Sequence, residues 1–263
     1  RPARIPRRIA SSRRGEPKPR MLISALALVL MQQRTVLAIG AHAGDAELTM
    51  GQLLIHQKRA GDRVVILHMT AGEGGNPKLS PAVYGAQKKR EAEDAARIIG
   101  AELLWAGYGD GDIPNDEPSR RRIADIIRQV KPTHIVTHWK NSIHMDHART
   151  SAIVSDAVLL ASLEGVKTDN PPWRGVRGIY FAENWEDPQG FNPYIFVDVT
   201  DARDAWLQAI KSYEFVAGAI SSFRYLEYYD ALAVVRGAVA RKGRASAFDI
   251  DDFGKKRILE GLQ

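Results

Sequence analysis

Five residues in two short clusters could do chemistry together. His42 and Asp45 lie three residues apart, and His144, Asp146 and His147 lie within four positions of one another. Two imidazoles and one carboxylate make a common catalytic zinc set, which keeps a fourth position for water. His42, Asp45 and His147 are the candidate ligands. The same donor set also suits Fe²⁺ or another divalent ion.

The flanking sequence supplies the elements that would present them. Val36 to Ile39 is an apolar, β-branched run and reads as a buried strand. Gly40 and Ala41 permit a tight turn, and Asp45 falls where a helix from Ala46 to Ala60 should begin, a place that suits an acidic cap. Thr133 to His138 reads as a second buried strand and leads into His144, with Asp146 opening a helix to about Leu163. Both clusters therefore sit just past the carboxyl end of a strand, where open α/β sheets bind ligands.

These stretches resemble the PIG-L/LmbE-like family of zinc-dependent N-deacetylases. The family's first motif reads Ala-His-Pro-Asp-Asp-Glu and its second His-Pro-Asp-His; here they stand as Ala41-His-Ala-Gly-Asp-Ala46 and His144-Met-Asp-His147. Thr70-Ala-Gly-Glu-Gly-Gly75 is similar to its Gly-Glu loop, and Lys88 with Glu91, Ala95, Ala96 and Gly100 to its following helix. The resemblance runs from about Thr35 into the C-terminal third. It implies that His42, Asp45 and His147 hold the metal, that the Gly72–Gly75 loop lines the site, and that His144 assists the reaction with Asp146 orienting its ring. Lys88 stands where the family usually has a substrate-contacting Arg. The swap keeps the charge and loses the bidentate fork. Gly44 replaces the Asp that acts as general base, a group generally worth about 10²–10⁴-fold in rate. Glu73 is the expected substitute. Glu47 lies about 200° round a helix from Asp45 and should point elsewhere. Asp110, in Gly109-Asp-Gly-Asp112 at a strand end, is a candidate substrate contact.

The remaining elements complete an α/β expectation. Strands are expected at 62–70, 102–108, 175–181 and 194–199. Helices are expected at 86–99, 118–130, 201–215 and 221–236, with residues 77–86 as an exposed loop over the site. Asn184 to Pro193 is a polar and aromatic loop suited to a rim against a sugar. The fold class is a Rossmann-like three-layer helix–sheet–helix domain over residues 34–263 with a mostly parallel sheet. No Gly-x-Gly-x-x-Gly opens a helix, which argues against a dinucleotide site.

Composition narrows the partners. The net charge of +6 comes from the first 20 residues, which hold eight Arg or Lys and one Glu. Residues 1–33 read as a disordered basic tail with a short apolar segment, Leu22 to Met31, too short to span a bilayer. That argues for a cytoplasmic protein, with export through this segment as the alternative. No aromatic residues interleave with the basic ones, so nucleic acid is not an expected partner. There is no cysteine, which excludes thiol catalysis and Cys-based zinc sites. The expected ligand is a small N-acetylated molecule, and the apolar stripe on the 221–236 helix leaves room for a homo-oligomer. The expected activity is hydrolysis of an N-acetylated amino sugar or conjugate. A relative that binds such a ligand without cleaving it is the alternative that Gly44 favours.

Overall fold

The central sheet is built by strands that bury both faces. β1 (Thr35–Gly40) pairs in parallel with β2 (Arg63–His68) on one side and β4 (His134–His138) on the other. β3 (Glu102–Trp105) extends the sheet beyond β2, and β5 (Gly178–Ala182) extends it beyond β4. Alternate residues serve opposite layers. Val36, Ala38, Val64, Ile66 and Val136 enter one core, while Leu37, Ile39, Val65, Leu67 and Ile135 enter the other.

In this computed structural model, which describes residues 33–187, 189–218 and 220–256, the strand order is β3-β2-β1-β4-β5-β7-β6. The first five strands are parallel. β7 (Ala245–Asp249) runs antiparallel to both β5 and β6 (Ile195–Asp198). The expected mostly parallel three-layer sheet is the observed one. The basic tail and apolar segment fall outside the described residues, and from Gln33 onward the chain is one compact unit. No helix of the described residues is long and apolar enough to cross a membrane.

The helices depart from expectation in instructive ways. The segment after β1 is two helices, α1 (Asp45–Thr49) and α2 (Gly51–Arg59). The Trp206 indole N–H donates to the Glu47 carbonyl at 2.9 Å, and a Cβ on Gly51 would meet that ring at 2.8 Å. The carbonyl that would bond residue 51 in a continuous helix is thus taken by the indole. α3 (Pro81–Ile99) begins earlier than expected, because Ser80 caps it and Pro81 occupies its first position. The loop over the site is correspondingly shorter.

α4 (Glu117–Val130) and α5 (Met145–Ser162) cover the second face of the sheet. α6 (Arg203–Ile210) packs on the first face with Trp206 fully buried. It ends earlier than expected, and a 3₁₀ turn at Glu214–Ala217 follows. α7 (Tyr225–Ala240) is the last helix, with Tyr229 buried on its inner side.

Candidate metal centre and reaction cavity

The chain runs outward from β1 to β2 and β3, then returns to β4 on the other side of β1. That reversal opens a crevice at the carboxyl ends of β1 and β4. His42 leaves β1 there, and His138 ends β4 beside it. The Ala41 N–H donates to His138 Nε2 at 2.9 Å, and the Thr70 hydroxyl donates to the Ala41 carbonyl at 3.0 Å. These bonds fix the turn that carries His42. Gly72, at φ 71°, lets the next loop close on it, since a Cβ there would stand 3.2 Å from His42 Cβ.

Three candidate ligand atoms converge. His42 Nδ1 is 3.2 Å from Asp45 Oδ2 and 3.3 Å from His147 Nε2, and His147 Nε2 is 3.3 Å from Asp45 Oδ2. Tetrahedral bonds of roughly 2.0–2.1 Å set ligand atoms about 3.3 Å apart. The spacing of the triangle therefore fits a zinc-sized ion. A second group, His42, His144 and Asp146, shares His42. There the Nε2 atom of His42 is already engaged by Asp110 Oδ1 at 3.0 Å and Asp146 Oδ2 at 3.4 Å.

Carboxylates back both imidazoles. Asp110 and Asp146 hold His42 at Nε2, and Glu186 Oε2 holds His147 Nδ1 at 3.1 Å. Such partners turn the ring so that its other nitrogen faces the metal. Burial alone would lower the pKa of His42, but Asp45, Asp110 and Asp146 carry it well above the usual imidazole range. Burial is likewise outweighed at His147, which Asp45 and Glu186 push up to about 9. The surrounding carboxylates thus favour positive charge on both rings.

His138 was given no role by sequence reasoning. Its Nε2 is 3.3 Å from Asp45 Oδ2, and its ring stacks on His147 with centroids 4.0 Å apart. Burial and the neighbouring His147 push it down to about 4, so it stays neutral. Glu186 and Asn184 were also missed. The Tyr229 hydroxyl donates to Asn184 Oδ1 at 2.6 Å, tying α7 to the loop behind His147.

A cavity of about 200 Å³ opens onto the triangle. His42, Asp45, Lys88, Asp110 and His144 all line it, as do Phe215 and Tyr225. Asp146 is fully buried beneath them. Its expected role is corrected: the carboxylate faces His42 and the Gly111 N–H, the latter at 2.7 Å, and it is the backbone N–H of Asp146 that donates to His144 Nδ1 at 3.2 Å. Glu73 is corrected as well. Its Oε1 accepts from the Asp110 N–H at 3.0 Å, and the side chain lines a neighbouring hollow with Pro81, Gly85 and Tyr108. It braces Asp110 and does not face the reaction cavity. Glu47 points into the core, where it accepts from the Tyr213 hydroxyl at 2.8 Å and pairs with His68 at 3.1 Å.

The family model described as GlcNAc-PI de-N-acetylase, PIG-L, matches residues 37–158, a span that holds all three candidate ligand residues. Over that span the chain is similar to the PIG-L family. Two curated relatives of this chain differ in activity. A 4-oxalmesaconate hydratase of Pseudomonas putida is 26% identical, over 88% of this chain and 89% of its own length. A diacetylchitobiose deacetylase of Thermococcus kodakarensis is 24% identical, over 69% of each chain. The solved 4-carboxy-2-hydroxymuconate hydratase from Pseudomonas putida superposes with a TM-score of 0.76 at 22% identity, over 88% of this chain and all of that one, and so shares the fold.

Proposed function

We propose that this chain is a metal-dependent hydrolase that removes an acetyl group from an N-acetylated amino sugar or a conjugate of one, with Zn²⁺ as its ion. The observation that carries the reading is the 3.2–3.3 Å ligand triangle of His42, Asp45 and His147 opening onto a cavity. The family description and the deacetylase relative support the amide bond as its target.

A divalent ion held by His42, Asp45 and His147 would lower the pKa of water and polarise a carbonyl oxygen. The residues supply the rest. Asp110 and Glu186 hold the two ligand imidazoles in register. His144 receives a backbone N–H at Nδ1, so its neutral form carries the proton at Nε2. Burial lowers its pKa, which keeps that neutral form at pH 7. It is a donor for the oxyanion of the tetrahedral intermediate and for the leaving amine. Nothing at position 44 accepts the water's proton, so turnover is slower than in a chain with a carboxylate there.

The test is acetate release from a panel of N-acetylglucosamine derivatives by the zinc-loaded chain. Activity should vanish with a strong chelator and return with Zn²⁺. Turnover indifferent to the chelator sinks the reading. Gly44 and the hydratase relative together favour a second reading, metal-assisted addition of water to an unsaturated carboxylate. Hydration of such acids without acetate release from any acetamide would select it.

A further inference from the structure

Lys88 is 4% exposed, and it lines the same cavity as the ligand triangle. Its Nζ lies 3.9 Å from the centroid of Phe215 and 4.6 Å from that of Tyr213. Among the described residues no carboxylate forms an ion pair with it. A buried ammonium with no directly paired carboxylate is costly to a fold. Aromatic faces offset part of that.

The position that could supply the counter-ion is known. A Cβ on Gly44 would stand 3.5 Å from Lys88 Nζ. A carboxylate on that position would reach the ammonium. Gly44 provides none, and Phe215 fills the space, its ring atoms 2.9 Å from the same point. The wall facing the metal triangle therefore carries a cation that no carboxylate of the described residues reaches at ion-pair distance. Tyr84, Ser221 and Tyr225 line the cavity as well. Burial pushes Tyr84 up to about 12, so its phenol keeps its proton.

We propose that Lys88 receives a carboxylate carried by the substrate, so that the chain acts on an anion and not on a neutral sugar. The inference rests on the reading of this cavity as the reaction chamber and narrows its substrate class to acyl amides with a carboxylate beyond the amide. An external carboxylate replaces the counter-ion that Gly44 omits, and it pairs with the ammonium where water is largely excluded. Glu91, Asp45, Glu47 and Asp110 face Lys88 from its own and neighbouring elements, which holds its charge at neutral pH against the burial that lowers it to about 8.

The experiment is calorimetric binding to the zinc-loaded full chain. The probes are N-acetylglycine, N-acetyl-β-alanine and N-acetyl-γ-aminobutyrate, each against its uncharged primary amide. At least one carboxylate should bind ten-fold or more tighter than its amide, as charge-assisted hydrogen bonds of about 1.5–3 kcal/mol require. Lys88→Met should abolish that preference while melting at the wild-type temperature or above it, because an unpaired buried charge has gone. Lys88→Gln serves as the second variant should Met misfold. A preference that persists in the folded variant belongs to the metal and overturns the proposal, as does the lack of any preference in the wild type. Carboxylate binding without acetate release upholds the Lys88 assignment and sinks the hydrolase reading alone.

Discussion

Glu186 Oε2 lies 3.1 Å from Nδ1 of His147, on the side of the ring away from the ligand triangle. A loop after β5 thus fixes the orientation of a candidate ligand on α5. Removing such a partner typically costs 10–100-fold in metal affinity. Glu186→Gln should weaken Zn²⁺ binding by about that factor and leave the fold intact. His147→Ala should abolish stoichiometric binding. Both are read by titration against a zinc indicator.

Restoring an acid at position 44 should not restore a base by itself. Gly44 sits at φ 106°, outside the range that side chains adopt, and its Cβ would meet the Phe215 ring at 2.9 Å. Gly44→Asp should destabilise the protein by about 1–3 kcal/mol in thermal or urea unfolding. Pairing it with Phe215→Ala should remove the steric part of that loss. Acetate release that rises in the single variant with no fall in stability contradicts this account.

Glu47 anchors the underside of the site. It is fully buried and bonded to Tyr213, His68 and the Gly44 N–H. Burial would raise its pKa, but His68 and the Tyr213 hydrogen bond bring it below the usual Glu range. A folded-state pKa below the unfolded one adds stability that is complete above the unfolded value, about 4.3, and is lost as pH falls through the folded value. Wild type minus Glu47→Gln stability, followed by urea denaturation, should shrink in that acid window. Tyr213→Phe should cost about 1.5–3 kcal/mol, since it strips a hydrogen bond from a buried carboxylate.

Lys88 gives the opposite window. Burial lowers its pKa from the ordinary lysine value of about 10.4 to about 8, so between these values the unfolded chain binds more protons. Stability contributed by this group rises as pH climbs through that range. The rise should disappear from Lys88→Met when the two proteins' unfolding curves are compared at each pH.

Much of this was legible because local chemistry decided it. β1 and β4 are apolar runs long enough to be strands, and the His42 and His144–His147 clusters follow their carboxyl ends. The three candidate ligands could be picked out from that pattern, and their donor atoms converge. What was missed depends on distant partners. Trp206 breaks the first helix from 159 residues away. Glu186 and His138 have no local signal that separates them from ordinary loop and strand residues. Glu73 was misplaced because a glycine-rich loop does not reveal which way its side chain turns. β7 went unread because Ala-Ser-Ala has weak strand propensity, and only pairing with β5 and β6 makes it a strand. The start of α3 was readable in Ser80-Pro81, a cap followed by a first-turn proline.

His42 and His147 are 105 residues apart in the chain, and they meet at 3.3 Å. An ion bound between them is also a cross-link that closes a loop of that length. For a disulfide closing roughly 100 residues, the entropy removed from the unfolded chain is worth about 4.7 kcal/mol. Metal loading should therefore make the β1 and β4 halves of the sheet unfold as one unit, and the centre can assemble in a nascent chain only after α5 has emerged.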